Sequence, residues 1–145
     1  MFTKILLPTD GSPLSDSATV TVIEFAKLNQ AAIVAVSVVQ PLPFAPLGDG
    51  SIVLDASEYE HQMRVSAQHN LDKVQAAARA ADVPFDGVVA LSPSPYEEIV
   101  AAASKFNCDI IIMASHGRKG LNKLFIGSET QKVLAHTTLP VMVLR

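Results

Sequence analysis

The sequence predicts an α/β domain, an open twisted parallel five-stranded sheet with helices on both faces. Three observations predict it. Short apolar runs alternate with amphipathic segments along the whole chain, in the order β-α-β-loop-α-β-α-β-α-β. One of those runs, residues 31–39 (AAIVAVSVV), is almost continuously apolar and valine-rich, as a strand covered on both faces must be. The 145 residues, 49% of them hydrophobic, suffice for one core and are too few for two typical domains, so residues 1–145 read as a single domain.

The first strand is KILLPT, residues 4–9, with Pro8 at its end where no ladder donor is needed. Ser12-Pro13 fits a helix cap followed by proline at the first helical position. Ala18, Val22, Phe25 and Ala26 then fall on one helical face, although the alternation over residues 19–22 is also compatible with a strand. After the run at 31–39, Pro41, Pro43, Pro46, Gly48 and Gly50 make residues 40–54 a loop, long enough to act as a lid or contact surface, with Phe44 and Leu47 expected to tuck inward.

The clearest amphipathic helix follows. Ser57 and Glu60 fit a capping box, with Asp55 as a rival cap, and Met63, Ala67, Leu71, Val74, Ala78 and Ala81 form the apolar stripe. His61 and His69 lie off it, as surface residues do. Phe85–Leu91 reads as a strand. Ser94-Pro95-Tyr96-Glu97 reads as a capped helix start, with Ile99, Ala103 and Phe106 on the buried side. Cys108 stands alone, so it forms no internal disulfide and reads as a small buried hydrophobe. Residues 110–113 are the next strand. Ser128 with Gln131 suggests another capping box, Val133 and Leu134 its helix's apolar side, and Val141–Leu144 a last strand.

The chemistry concentrates in residues 109–129, DIIIMASHGRKGLNKLFIGSE. A strand runs into a basic, glycine-containing loop and then a helix start, which is a ready anion site. Gly117 and Gly120 allow unusual backbone geometry and close approach of a ligand. Arg118 suits a bidentate phosphate contact, within a basic cluster that also holds His116, Lys119 and Lys123. In sheets of this class ligands sit beyond the carboxyl ends of the strands, which brings Pro8, Thr9 and Asp10, the end of the second strand near Val38 and Val39, and the loop after Met113 to one crevice. Each residue also has a plain structural reading: Gly120 relaxing a turn, Asp10 bonding its own loop, Ser128 capping a helix, His116 an ordinary loop histidine.

Other classes are excluded or disfavoured. The formal charge, 11 − 14 = −3, provides no global attraction to nucleic acid. No stretch approaches the roughly 18 apolar residues of a membrane span. The N-terminus reads as a strand rather than a signal peptide, so the expected location is the cytoplasm. The sequence contains no GxxxxGK[S/T], no GxGxxG after the first strand, no GxSxG elbow and no HExxH.

The opening KILLPTDGS, the PYEEIV helix start, the segment DIIIMASHGRKGLNKLFIGSETQKVL and the closing LPVMVLR together resemble the universal stress protein family, in its ATP-binding branch. The signature of that branch is Gly, two residues, Gly, nine residues, then Gly with Ser or Thr. Ala114-Ser115-His116-Gly117 matches its first part with Ala114 in place of glycine, and Gly127-Ser128 completes it nine residues later. The resemblance implies a Rossmann-like sheet of order 3-2-1-4-5. It implies ATP, with Mg or Mn and with AMP or ADP as alternatives: Asp10 with Pro8 and Thr9 toward ribose and adenine, backbone near Val38 and Met113 framing the base, and Gly117, Arg118, Gly127, Ser128 and Glu129 at the phosphates. It also implies a homodimer formed by antiparallel pairing of the last strand, 141–144, where the chain would otherwise leave an apolar edge. No catalytic residue and no dedicated metal ligand is assigned. The expected function is therefore a stress-related ATP-binding regulator with at most weak hydrolysis. A nucleotide-independent dimeric module regulating a transporter or enzyme is the alternative, favoured by Ala114. An adenylating or nucleotide-cleaving enzyme is a third reading that would need more catalytic residues.

Overall fold

The apolar runs pair into one parallel sheet: β1 (Lys4–Pro8), β2 (Ala32–Val39), β3 (Phe85–Leu91), β4 (Ile110–Ala114) and β5 (Val141–Leu144), in the order β3-β2-β1-β4-β5. This is a computed structural model, and it describes residues 1–42, 55–117 and 126–145. The expected sheet and its strand order are both present. Most of the 40–54 loop, with Phe44 and Leu47, lies outside the described residues, as do Arg118, Lys119, Gly120 and Lys123.

Helices α1 (Pro13–Asn29) and α2 (Ala56–Ala80) cover one face, and α3 (Pro95–Lys105) and α4 (Ser128–His136) cover the other. Because side chains alternate along a strand, each strand feeds both cores. Ile5, Leu7, Ile33 and Ile112 pack against Val22, Leu71 and Val74 on the first face. Leu6, Val34, Val36, Ile111 and Met113 pack against Ile99, Ala103 and Val133 on the second. Residues 19–22 are helical, as the Ser12 cap requires: the Ser15 amide donates to Ser12 Oγ at 3.2 Å. Phe25 is partly buried and meets the Phe2 ring, 6.0 Å between centroids.

Local cap expectations fare less well. In α2 the cap is Asp55, whose Oδ1 accepts from both the Ser57 amide (2.9 Å) and the Ser57 hydroxyl (2.7 Å). The Ser57–Glu60 box does not form, and Glu60 pairs instead with Arg64 at 3.0 Å. A carboxylate accepts two bonds at once and its charge suits a helix N-terminus, so it outcompetes the hydroxyl. The Ser57 hydroxyl, then the Ser57 and Glu58 amides, hold the Asp55 carboxyl below its ordinary pKa.

At α3, Ser94 occupies the cap position but its side chain makes no cap bond. The Tyr96 amide donates to Glu129 Oε2 of α4 at 3.0 Å instead. At α4 the cap position is Gly127, not Ser128, and Gln131 Nε2 turns back to the Ile126 carbonyl at 2.7 Å. Leu134 is 44% exposed rather than buried, because one residue beyond the buried Val133 rotates it about 100° out of the core.

Asp109 fastens the start of β1 to β4, accepting from the Thr3 amide (2.7 Å), the Thr3 hydroxyl (2.8 Å) and the Lys4 amide (3.1 Å). Burial pushes its pKa up, but those hydrogen bonds together outweigh it and hold the carboxyl below the usual range. Beside it, Cys108 is buried, as expected. Desolvation, partly offset by the Lys4 charge and reinforced by Asp109, pushes its thiol up to about 11.

Candidate functional site

The strand order reverses direction between β1 and β4, and a cleft of about 610 Å³ opens there at the carboxyl ends of the strands. That volume lies within the range of small-molecule sites. Three separated stretches form its floor: Pro8, Thr9 and Asp10 after β1, residues 36–40 at the end of β2, and Met113, Ala114, His116 and Gly117 at the end of β4. The α4 start, Gly127, Ser128, Glu129 and Thr130, closes one end. One of the expected site residues among those described does not border it: Ser115 is 1% exposed and holds structure. Arg118 lies outside the described residues.

Ser115 ties the site together. Its amide donates to the Leu144 carbonyl at 2.7 Å, its carbonyl accepts from the Gly127 amide at 2.8 Å, and its hydroxyl pairs with His116 Nδ1 at 2.9 Å. The Thr130 hydroxyl reaches the Ala114 carbonyl (3.2 Å) and the Ser115 carbonyl (3.3 Å). The start of α4 is thereby fixed to the end of β4, although residues 115–127 separate the two in sequence.

The glycines matter here for space rather than for dihedral freedom. A Cβ at Gly127 would lie 3.0 Å from the Ser115 carbonyl oxygen, and one at Gly117 would lie 2.6 Å from Asp10 Oδ2. Among the described residues the glycine with positive φ is Gly11, at +72°. Ala114 is an ordinary extended residue of β4, paired with Leu144, so its methyl group imposes no backbone strain.

The α4 N-terminus presents the positive end of a helix dipole to the cleft. The first amides of a helix have no intrahelical acceptor, and among the described residues the Gly127 cap position supplies no side-chain cap for these. Asp10 Oδ1 accepts from the Ser12 amide at 3.0 Å, so the carboxylate does serve its own loop, while Oδ2 faces Gly117. Glu129 is engaged on both oxygens, with the Tyr96 amide and with Lys132 Nζ at 3.3 Å.

Sequence reasoning missed the wall contributed by α2. Tyr59, Met63, Ser66, Ala67 and Asn70 border the cleft, as do Pro95 and Ile99 of α3. Met63 and Ala67 sit on the stripe read as core, and a stripe alone does not distinguish core from cleft wall. The available signal was Asn70, an amide adjoining Leu71 on the inward face.

A parallel α/β sheet with a cleft at its switch point and a helix N-terminus opening into it is the arrangement in which α/β domains of this class hold their ligands. The universal stress protein family model matches residues 1–145, and the chain belongs to that family. It is 32% identical over 146 residues to universal stress protein MJ0531 of Methanocaldococcus jannaschii, covering all of this chain and 83% of the relative. A universal stress protein of Thermus aquaticus is 30% identical over 146 residues, covering all of both. The solved structure of MJ0577, also from M. jannaschii, superposes with a TM-score of 0.79 at 26% identity, covering 99% of this chain and 96% of that one. Two more distant structures share the fold at 14% identity: a universal stress protein in complex with cAMP (TM-score 0.70, covering 99% and 97%) and one from Archaeoglobus fulgidus in complex with dAMP (TM-score 0.69, covering 100% and 98%).

Proposed function

We infer that this universal stress protein binds an adenine nucleotide in the switch-point cleft and acts as a nucleotide-dependent regulator. ATP is the first candidate, with Mg or Mn accompanying the phosphates; ADP and AMP are the nearest alternatives. The observation that carries the reading is the N-terminus of α4, without a side-chain cap from its own cap residue, opening into the cleft beside two glycines at which a Cβ would crowd Ser115 and Asp10. Phosphate at that point accepts from the first-turn amides and meets the positive end of the helix dipole. Arg118 and the Gly117–Gly127 segment complete the phosphate end, while Asp10, Val38 and Met113 frame the sugar and base. The complexes of distant relatives with cAMP and dAMP are in keeping with this choice.

The assignment names no catalytic residue, and any hydrolysis is expected to be slow. The protein acts in the cytoplasm as a single domain and as a homodimer, with residues 40–54 available to contact a regulated protein. Dimerisation through β5 is favoured by its position at the sheet edge, where all four residues are only half-buried. The nucleotide-independent module is the second reading, favoured by Ala114.

Calorimetric titration with ATP and magnesium separates them. The unmodified protein is expected to bind, and Gly127→Val, checked for folding by circular dichroism, to lose at least tenfold in affinity. Absence of binding by the unmodified protein sinks the nucleotide reading; equal binding by a folded Gly127→Val sinks the placement of the phosphates.

A further inference from the structure

The α2 wall of the cleft contains a side chain that the fold does not explain. Asn70 is 7% exposed, borders the cleft, and makes no hydrogen bond through its carboxamide among the described residues. Among the described residues no buried side-chain nitrogen or oxygen lacks a partner, so the polar atoms of this carboxamide are open to the cleft rather than sealed in the core. The chain builds a seat for it. Gly11 adopts φ +72°, and a Cβ there would fall 2.6 Å from Asn70 Cγ and 2.8 Å from Nδ2. The amide thus lies against bare backbone in a place only glycine leaves open.

We propose that Asn70 is a specificity-determining residue of the cleft, its carboxamide pairing with a neutral donor–acceptor group on the ligand. This rests on the nucleotide reading and extends it to the end of the ligand away from the phosphates. A carboxamide presents one acceptor and two donors side by side and carries no charge. It therefore matches the ribose cis-diol or the edge of a purine, to which Asn pairs well, and has no charge to favour a phosphate over them. Its position agrees, because α2 and α1 cover the face of the sheet opposite α4, whose N-terminus is the anion site. The Asp10–Gly11 turn that seats the amide is also the turn assigned to the sugar side.

The test compares the unmodified protein with Asn70→Leu and Asn70→Ala, by calorimetry and thermal unfolding. Both variants are expected to bind ATP about tenfold or more weakly. Asn70→Leu is expected to keep or raise the melting temperature, because it removes an amide without a protein partner. The ligand side locates the contact: 2′-deoxy-ATP erases the difference between unmodified protein and Asn70→Ala if the partner is the ribose, and a purine nucleotide without the 6-amino group erases it if the partner is the base. Unchanged ATP affinity in a folded variant overturns the proposal. It is also overturned if both ligand changes cost unmodified protein and variant alike. If the unmodified protein binds no adenine nucleotide, the nucleotide reading fails and this assignment fails with it.

Discussion

Replacing Glu129 tests a feature no local sequence signal announces, the capping of α3 by a residue of α4. Glu129 Oε2 accepts the Tyr96 amide at 3.0 Å, while Ser94, in the cap position, makes no side-chain cap bond. A hydrogen bond to a charged acceptor contributes about 1.5–3 kcal/mol. The Glu129 side chain is 38% exposed, so screening reduces that to about 1–1.5 kcal/mol. The exposed Lys132 pair adds a few tenths at most. For a chain of this length the loss corresponds to roughly 3–5 °C in Tm. Glu129→Ala is therefore expected to lower urea-unfolding stability by that amount, followed by far-UV circular dichroism, and Ser94→Ala to stay within about 0.5 kcal/mol of the unmodified protein. The reverse pattern, a costly Ser94→Ala and a silent Glu129→Ala, would refute the account of how α3 begins.

Further outcomes follow from other contacts. Gly11→Ala places a methyl group on the Asn70 amide at a positive φ, and is expected to cost at least about 1 kcal/mol in urea unfolding; a neutral result would contradict the turn geometry. The depressed Asp109 pKa contributes stability that is complete above roughly pH 4 and is lost as pH falls through the folded value. Asp109→Asn is accordingly expected to be about 1 kcal/mol less stable at pH 7, with the gap narrowing at pH 3; a gap independent of pH would argue against the carboxylate's role. With its thiol at about 11 and buried, Cys108 is expected to resist iodoacetamide at pH 8 in the folded protein and to react readily in urea, and rapid labelling of the folded protein would contradict its burial.

The contrast between Ser94 and Glu129 also shows where sequence reading stops. Strands were legible because a run such as residues 32–39 has to be apolar on both faces, whatever surrounds it. The crevice was legible because the strand order determines which strand ends meet, and Asp10, Val38 and Gly117 do meet there. Caps were not, because the acceptor for Tyr96 lies 33 residues away, and because Asp55 and Ser57 compete within two residues of each other. The α2 wall was hidden for a related reason. Met63 and Ala67 have the same periodicity whether they face a core or a ligand, and only the docking of α2 over the end of β2 distinguishes the two. Gly117 was singled out for backbone freedom, yet what its surroundings show is nearness: an added Cβ would crowd Asp10 there and Ser115 at Gly127.

The central claim, that the cleft holds an adenine nucleotide, is tested most directly by native mass spectrometry of gently purified protein, followed by acid release and identification of any bound small molecule. The expected mass is that of two chains plus two adenine nucleotides. A ligand-free species that also fails to take up ATP with magnesium would contradict it.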